Sequence, residues 1–372
     1  MNFKSLENFS LLVCCLVYAL VRGAAKRPAP SPKRVCIIQT AKMGDMICTT
    51  PMFRAVKERY PEAEVIVVGD VVNEQTLRGN PDIARYLVWH GGSFAMAKKM
   101  RALACDFGCT AGPDFSGLAA LYLGGVPCIA APQIVGRQSP LETKGYRMLR
   151  RLVVVVPHVF NTYAAREYLR LLEPIGVASE DTRKHLYYTT EAAASVQKHL
   201  QDAGVEQEPF AVIAPGAGHK SKEWPPERFA QVAGYIAGHY MAVAVIGAAG
   251  DRQEVAEVFA HTSNPRVVNM SEKLSIEELK AFISRAKLFV SADAGPLYIA
   301  EAFGVPTIDI VGPATDTAQP PLGPRNIVLV PPRERPQMFM FDVRHFDPVE
   351  TKRQAEATTV KEVTGAVDKL FL

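Results

Sequence analysis

The strongest constraint on the fold is a repeated order of short apolar segments and helical patterns. Residues 34–39 and 63–68 are apolar runs typical of buried parallel strands, and between them lie a glycine-containing turn and a helical pattern that ends at Tyr60. A similar series begins at residues 210–214. Because strand, turn, helix and strand in this order form the βαβ unit of a parallel sheet, we predict an α/β fold with two Rossmann-like, doubly wound domains.

The remaining elements fit the same two series. Further strands are predicted at 126–131, 241–246, 267–269, 288–291 and 307–311, and further helices at 164–172, 227–239, 296–303 and 360–370. The polar segment 176–183 indicates the boundary between the series. We therefore assign residues 33–180 to an N-terminal domain, 181–345 to a C-terminal domain and 346–372 to a final helical segment that packs back across both.

Residues 1–32 read as a separate segment. The apolar run at 9–21 is shorter than the ~20 residues that a membrane-spanning helix needs, and most of the nearby Lys and Arg residues follow it, which favours a cytoplasmic location for the next domain. A secretory signal peptide with a weak cleavage site at 23–25 is the alternative. We expect residues 9–34 to lie on the cytoplasmic face of the inner membrane as a peripheral or monotopic helix with a basic, proline-rich spacer.

Charge and cysteine usage exclude several classes of protein. The formal net charge is +4, but residues 1–34 hold six basic residues and one Glu, so the other 36 basic and 37 acidic residues sum to −1. A body so balanced argues against nucleic-acid binding, which needs clustered cations. The seven Cys residues have no CxxC spacing, and the lone His158, His219 and His345 have no partner spacing. We therefore predict no disulfide framework, metal site or cofactor.

Residues 40–51 form the first candidate loop, directly after a strand. Gly44 allows a ligand to approach the backbone closely, and Asp45 places a carboxylate at the carboxyl end of the predicted sheet. Asp45 as a simple cap of the following helix is an equally good interpretation.

Residues 215–225 form the second candidate loop. It is rich in glycine and contains Lys220 and Lys222, so backbone N–H groups and cations are available to a diphosphate. It lacks the P-loop pattern, and therefore no P-loop nucleotide hydrolysis is implied. The alternative is an exposed turn anchored by Trp224.

Residues 291–298 form the third candidate loop, again between a strand and a helix. Pro296 suits the first helical turn, so the amides around Ala294 and Gly295 can hold an anion at the positive helix end. Asp293 as a mere helix cap is the alternative.

A basic cluster in the first half, Arg147, Arg150 and Arg151, is open to two interpretations. Such a cluster is usually a solvated surface. It could also contact acceptor phosphates or lipid headgroups.

Together the three loops resemble the ADP-heptose:lipopolysaccharide heptosyltransferases, glycosyltransferase family 9. The resemblance rests on K-M-G-D-M-I-x-T-T-P at 42–51, P-G-A at 215–217, K-x-W-P-x-x-R-F at 222–229, D-x-G-P at 293–296, A-F-G-V-P at 302–306 and G-P at 312–313. The motifs occur in the order of the family, from about residue 34 to 330. Each motif alone has modest specificity for the family, whereas all of them in this order are specific.

The resemblance implies a GT-B fold, with two Rossmann-like domains facing a cleft, and an inverting, metal-independent glycosyltransferase. Its donor would be a nucleoside-diphosphate sugar, ADP-heptose by analogy, and its acceptor the lipopolysaccharide core or another lipid-linked glycan. Asp45 would be the general base, and Lys222 would neutralise the leaving diphosphate. The implied donor-binding residues are Gly216, Ala217, Gly247, Asp251, Glu254, Asp293, Ala294, Gly295 and Tyr298. The implied acceptor-binding residues are Lys42, Gly44 and Arg147.

One departure from the family and two rival functions remain. Where the family usually has D-T-G-x-x-H, this chain has D-A-G-P-L-Y at 293–298. Ala294 therefore lacks the threonine hydroxyl, and Tyr298 replaces a histidine that could become cationic. One rival is a GT-B enzyme that uses another sugar nucleotide, for other glycosyl transfer or epimerisation. The other is a non-catalytic, membrane-bound sugar-nucleotide-binding protein. The presence of both Asp45 and Lys222 favours transfer.

Overall fold

The computed structural model describes residues 3–28, 30–342 and 346–372, so His345 lies outside the described residues. The chain divides into two compact units. The first comprises Met1–Ala41, Cys48–Glu74 and Asn80–Arg183, and the second Lys42–Ile47, Gln75–Gly79 and Lys184–Leu372. The sequence did not indicate that the two short segments 42–47 and 75–79 join the second unit.

The first unit is built on a six-stranded parallel sheet. Its strands are β1 (Arg34–Ile38), β2 (Glu64–Gly69), β3 (Arg85–Val88), β4 (Phe107–Thr110), β5 (Cys128–Val135) and β6 (Val154–Val159). Its helices are α1 (Phe3–Arg22), most of α2 (Met43–Arg59), most of α3 (Val71–Leu77), α4 (Ser93–Leu103), α5 (Phe115–Leu123), α6 (Lys144–Arg150) and α7 (Ala164–Arg170), followed by a 3₁₀ turn at Glu173–Ile175. The strand order is β3-β2-β1-β4-β5-β6.

The second unit repeats this plan. Its strands are β7 (Phe210–Ala214), β8 (Ala242–Val245), β9 (Val267–Asn269), β10 (Leu288–Ser291), β11 (Thr307–Ile310) and β12 (Asn326–Leu329). Its helices are α8 (Thr190–Asp202), α9 (Pro226–His239), α10 (Arg252–Ala260), α11 (Ile276–Ser284), α12 (Gly295–Ala302), α13 (Pro348–Ala357) and α14 (Val360–Phe371), with 3₁₀ turns at Lys220–Lys222 and Ala249–Asp251. The strand order is β12-β11-β10-β7-β8-β9.

The two sheets have the same topology, and the sequence explains why. In each, the first strand of the unit lies in the middle and the chain then winds outward in both directions, the doubly wound order of a Rossmann-like fold. The central strands β1 and β7 are almost wholly buried, because helices cover both faces of a parallel sheet and the strands must be apolar throughout. The prediction of two parallel α/β sheets is confirmed.

The first candidate loop is shorter than predicted. α2 begins at Met43 and contains Pro51, so Asp45 lies in the first turn of a helix rather than in an extended loop. A carboxylate in this position interacts favourably with the positive end of the helix. The helix-start interpretation of Asp45 therefore describes the position of its backbone.

The N-terminal segment differs from the expected tether. One side of α1 packs on α5 and α6, and its Leu11 and Cys15 are fully buried in the core of the first unit. Beyond the helix, the Ala25 N–H donates to the Leu152 carbonyl at 2.7 Å. Residues 24–27 are thus bound to the first unit instead of forming a free spacer, because the helix has an apolar side that the domain core can bury.

Arg22, one of the basic residues that follow the apolar run, is not a free cation on the surface. Its guanidinium donates to the carbonyls of Tyr122 and Val126 and lies 4.7 Å from the centroid of the Tyr122 ring. Burial lowers the pKa of Arg22. Lys26 and Arg27 remain exposed. Within the described residues, no helix combines the length and hydropathy that a bilayer crossing requires.

The last helix packs within the second unit. Val363, Ala366 and Val367 of α14 are buried in the core of that unit, where the helix contacts α9, β11 and β12. The expected path of this helix across both halves stays a prediction.

A buried lysine fastens the segment 75–79 to the rest of the second unit. Lys280 on α11 is fully buried, and its Nζ donates to the carbonyl oxygens of Gln75, Thr76 and Arg78 at 3.1–3.2 Å. Its ammonium also pairs with Glu277. The cation therefore satisfies carbonyls at the end of α3 that the helix itself leaves without donors.

We expect Lys280→Met to lower the free energy of unfolding by about 3 kcal/mol, because it leaves buried carbonyls and a carboxylate without their partner. Urea denaturation followed by circular dichroism measures this loss. The control is Lys287→Met, at an exposed lysine, which should change stability by less than about 0.5 kcal/mol. Equal losses in the two variants would contradict the role of Lys280.

Candidate active site

The candidate site lies at the carboxyl edge of the second sheet. β7, β8, β10 and β11 are neighbouring parallel strands, so the segments that follow them emerge at one edge. These segments are residues 215–222, 246–251, 292–295 and 311–319. Ligands of open α/β sheets bind at this edge. The segment 42–47 belongs to the same unit and brings Asp45 to the site.

Asp45 is half-buried and hydrogen-bonded. Its Oδ1 accepts from Nε2 of Gln319 at 3.0 Å. Burial is the largest effect on the pKa of Asp45 and raises it. The hydrogen bond from Gln319 and the charge of Lys222 lower this pKa, whereas the charge of Asp293 raises it. The net result is a raised pKa. A carboxylate with a raised pKa is a better proton acceptor than an ordinary aspartate.

Lys222 forms an ion pair with Asp293. Its Nζ lies 2.5 Å from Oδ2 of Asp293, and both side chains are largely buried. Burial alone would lower the pKa of Lys222, but the charges of Asp293, Asp45 and Asp309 outweigh it, so the pKa is raised. Lys222 is therefore a cation at neutral pH.

Asp309 fixes the backbone beneath this ion pair. Its Oδ1 accepts the N–H of Asp293 at 3.1 Å. Asp293 has a φ of +39°, in the left-handed region that non-glycine residues rarely adopt. Burial, followed by the nearby charge of Asp293, raises the pKa of Asp309 well above its usual range. The local geometry thus turns the Asp293 carboxylate toward Lys222 at the cost of backbone strain.

The third predicted loop leads into α12 as expected. Gly295 is the first residue of the helix, Pro296 lies in its first turn, and the N-cap residue Ala294 has no polar side chain that could cap the N–H groups. The positive end of the helix is thereby left to an external anion. Asp293, with its strained backbone, directly precedes the N-cap residue Ala294.

Gly44 allows the segment 42–47 to approach α12 closely. A Cβ atom on Gly44 would lie 2.8 Å from the Tyr298 ring, whereas one on Gly295 would make only an ordinary contact, 3.5 Å from Met43. Tyr298 itself is buried. The group that approaches the backbone of Gly44 in the structure is therefore the Tyr298 side chain.

The predicted ribose-binding residues lie together, with partners of their own. Asp251 is packed against Gly216 and Gly247 so closely that a Cβ atom on either would collide with its neighbours. Its Oδ2 also accepts the Ala248 N–H at 2.8 Å. Glu254 is buried and paired with Lys220 at 2.5 Å, whereas its Oε2 has no hydrogen-bond partner among the described residues. Ala217 lies in the loop beside Gly216.

The predicted acceptor residues belong to two different units. Lys42 and Gly44 belong to the second unit, where Nζ of Lys42 donates to the Gly218 carbonyl. Arg147 is an exposed residue of α6 in the first unit. Its neighbour Arg150 is not a free surface cation, because it pairs with Glu142 and its guanidinium lies 5.6 Å from the centroid of the Tyr146 ring.

A pocket of ≈ 220 Å³ joins the central residues of the site. Its lining includes Lys42, Asp45, Gly218, His219, Lys222, Asp293, Ala314, Thr315, Ala318, Gln319, Met338, Phe339 and Met340. Sequence patterns did not indicate Gln319, Asp309 or the residues after Pro313. These residues lie in irregular backbone or inside a strand, and no local pattern marks them.

Two other features bear on where a site could lie. A hollow of ≈ 540 Å³ is lined by Arg333, Arg335 and Arg353, but Arg333 is paired with Asp316 and Arg353 with Glu350. In the described part of the chain, no three His, Cys, Asp or Glu residues are grouped so as to hold a metal ion. The chemistry is therefore best assigned to the pocket of Asp45 and Lys222.

The fold and site define a glycosyltransferase of the GT-B-like class, and comparison with known proteins identifies its family. Residues 129–341 match the family model described as glycosyltransferase family 9 (heptosyltransferase). The chain is 26% identical over 287 residues to lipopolysaccharide heptosyltransferase 3 of Escherichia coli strain K12, covering 73% of this chain and 80% of that protein. The chain belongs to glycosyltransferase family 9, the heptosyltransferases, which confirms the resemblance found in its motifs.

Solved structures support the same fold. The glycosyltransferase family 9 protein from Veillonella parvula DSM 2008 superposes with a TM-score of 0.74 at 19% identity, over 93% of this chain and 98% of that one. E. coli heptosyltransferase WaaC, solved with ADP-2-deoxy-2-fluoro heptose, gives a TM-score of 0.65 at 16% identity, over 90% and 99%.

We expect Gly44→Ala to destabilise the protein by about 1–3 kcal/mol, because the new methyl group would overlap the Tyr298 ring. Thermal and urea unfolding measure the loss. In a Tyr298→Ala background the same substitution should cost clearly less, since the ring is gone. Gly234→Ala on α9, where an added Cβ meets nothing within 4 Å, is the matched control and should be neutral or stabilising. Equal costs in both backgrounds would refute the contact.

Proposed function

We propose that this enzyme transfers a heptose from ADP-heptose to the lipopolysaccharide core or a related lipid-linked glycan, with inversion at the anomeric carbon. Membership of the heptosyltransferase family supports the reaction. The name of the E. coli relative supports the acceptor, and the ligand in the solved E. coli enzyme supports the donor. The observation that carries the mechanism is a candidate base, Asp45, in one pocket with the buried cation Lys222.

The proposed reaction is a single displacement. The acceptor hydroxyl attacks the anomeric carbon, the bond from that carbon to the phosphate oxygen breaks, and the bonding electron pair leaves with ADP. Asp45 takes the hydroxyl proton as the new glycosidic bond forms. A base with a raised pKa suits this step, because its proton affinity lies nearer to that needed at neutral pH.

The leaving diphosphate needs positive charge, and the chain offers two sources. Lys222 is a largely buried cation that lines the pocket, and α12, whose N-cap residue Ala294 has no capping side chain, begins two residues after Asp293. Both stabilise negative charge as it develops on the leaving oxygen. We propose that these groups do so without a metal ion, so EDTA should leave transfer intact.

The rest of the donor would extend along the same edge. We propose that Gly216 and Ala217 let the backbone approach the diphosphate, and that the turn at Gly247 with Asp251 and Glu254 meets the ribose. Support comes from the buried Oε2 of Glu254, which has no hydrogen-bond partner in the described part of the chain. A ribose hydroxyl could donate to it. We further propose that Lys42, Gly44 and Arg147 serve the acceptor.

We predict that Asp45→Asn will reduce the transfer rate about 10³-fold, because the amide cannot take a proton. Donor affinity should change little, since Asn has the same shape. Lys222→Met should instead slow transfer about 10²-fold and also weaken binding of ADP. Single-turnover assays with ADP-heptose and isothermal titration with ADP, both in EDTA, separate the two effects.

Lys220→Met is the matched control for Lys222, because Lys220 lies two residues away but pairs with Glu223 and Glu254 instead of Asp293. It should affect ADP binding without slowing the chemical step as Lys222→Met does. Full transfer by Asp45→Asn would refute the base, and loss of all activity in EDTA would refute the metal-free leaving group.

We also propose that the enzyme works at the cytoplasmic face of the inner membrane, bound through residues 9–34. The support is an apolar strip on α1 that the first unit does not cover. Its members recur at helical spacing and are exposed: Phe9, Val13, Leu16, Val17, Leu20 and Val21. Leu20 is 87% exposed. A strip of this kind suits a helix that lies flat in the lipid interface.

Charge beside the strip favours an anionic lipid surface as its partner. Arg101 of α4 lies 6.0 Å from the centroid of the Tyr18 ring on α1, so the two helices are neighbours. α4 exposes Phe94, Lys98 and Lys99. An apolar strip flanked by lysines gains affinity from anionic headgroups.

We predict that the full chain will co-sediment with vesicles containing phosphatidylglycerol, and that the triple change Phe9→Ser, Val13→Ser and Val17→Ser will reduce binding at least about tenfold. Val349→Ser, at a residue 80% exposed on α13, is the control and should bind like wild type. Failure of the wild-type chain to bind these vesicles would refute the membrane proposal and leave the proposed transfer reaction untouched.

A further inference from the structure

The side chain of Gln319 contacts the proposed base directly. Its Nε2 donates to Oδ1 of Asp45 at 3.0 Å, and the two residues are 274 positions apart in sequence. Gln319 is half-buried and lines the same pocket. A hydrogen bond to one oxygen restricts the rotation of a carboxylate about its terminal torsion, which is otherwise broad.

Tyr298 in turn holds the backbone of Gln319. Its hydroxyl lies 3.0 Å from the Gln319 carbonyl and 3.2 Å from Oδ1 of Asp293. The hydroxyl carries one hydrogen and donates it toward these two acceptors. The ring of the same residue packs against Gly44, the neighbour of Asp45. Tyr298 therefore contacts both the segment that carries the base and the residue that orients it.

Such a network links the two ends of the proposed reaction. Asp293 pairs with Lys222, which would hold the leaving group, and Gln319 binds Asp45, which would take the proton. Tyr298 connects Gln319 and Asp293. This position is where the family pattern has histidine, so the tyrosine supplies a neutral connection instead of a group that can become cationic.

We infer that Gln319 and Tyr298 are positioning residues that set the orientation and proton affinity of Asp45. The inference rests on the proposed role of Asp45 as the base. Neither residue needs to contact the reacting atoms. Both act through Asp45, Gln319 directly and Tyr298 through the Gln319 backbone and the Gly44 contact.

The charges around Asp45 fix the direction of the expected pH effect. Lys222 and the Gln319 hydrogen bond favour the carboxylate, whereas burial and Asp293 favour its protonated form. Lys42 and His219 also line the pocket, and Asp309 lies behind Asp293. Removing the Gln319 donor leaves burial and Asp293 less opposed, so the pKa of Asp45 should rise. A base must be unprotonated to act, so activity should then be lost at a higher pH than in wild type.

The test is the pH dependence of kcat/KM for transfer. In Gln319→Leu the acidic limb should move up by about one pH unit, the size expected for a lost hydrogen bond to a charged group. Gln319→Glu should move it further, because a second carboxylate would face Asp45. Tyr298→Phe keeps the ring and should move it less, in the same direction. ADP affinity should change less than threefold in Gln319→Leu, which also shows that the variant is folded.

Gln253→Leu, at an exposed glutamine of α10, is the matched control and should keep the wild-type profile. An unmoved acidic limb in both Gln319→Leu and Tyr298→Phe, with Asp45→Asn inactive, would overturn the positioning role and leave the proposed base intact. Full transfer by Asp45→Asn would instead overturn the base and the positioning role together.

Discussion

The ion pair between Lys222 and Asp293 is the interaction on which the site depends. Its two partners come from different loops at the carboxyl edge of the second sheet, and both are largely buried. A buried pair of this kind adds little net stability, but loss of one partner leaves an uncompensated charge. The pair is therefore better understood as a device that fixes a cation in the pocket. Asp293 takes part in it from a backbone with a positive φ, where its N–H donates to Asp309.

Around this pair, the charges are arranged for a reaction that moves a proton and releases an anion. The pocket holds Lys42 and Lys222 with Asp45 and Asp293, and burial favours the neutral form of Asp309. In the proposed reaction, Asp45 loses its negative charge as it takes the acceptor proton. The leaving diphosphate gains negative charge in the same step. The charge of the pocket as a whole changes little, which limits the electrostatic cost of reaction in a partly desolvated site.

Sequence patterns predicted those parts of the molecule that are governed by local rules. β1 and β7 are continuous apolar runs, because parallel strands are covered on both sides, and they were found within a residue or two. β3, β4, β6 and β12 were not predicted. β3, β6 and β12 are partly exposed edge strands with weaker patterns, whereas β4 is buried but only four residues long. Asp45 and Lys222 were recognised through motifs. Gln319 was not, because its importance comes from a contact with a residue 274 positions away in an otherwise irregular segment.

The contacts of the N-terminal helix also could not be predicted from the sequence. The apolar run predicted a helix with affinity for lipid, but not that Leu11 and Cys15 would be buried in the first unit. An apolar helix can contact both a protein core and a lipid surface only if one side packs on the protein and the other stays exposed. The sequence alone does not show which side packs on the protein. The partners of Arg22 could not be predicted for the same reason, since its guanidinium binds backbone carbonyls that lie about a hundred residues further along the chain.

A crystal structure of the enzyme with the donor analogue ADP-2-deoxy-2-fluoro heptose would test the proposed mechanism at its centre. The proposed mechanism predicts that a diphosphate oxygen lies within hydrogen-bond distance of Nζ of Lys222 and near the first N–H groups of α12. It also predicts that the Asp45 carboxylate lies on the side of the anomeric carbon opposite the phosphate. A diphosphate bound away from Lys222, or a sugar with Asp45 on the phosphate side, would contradict it.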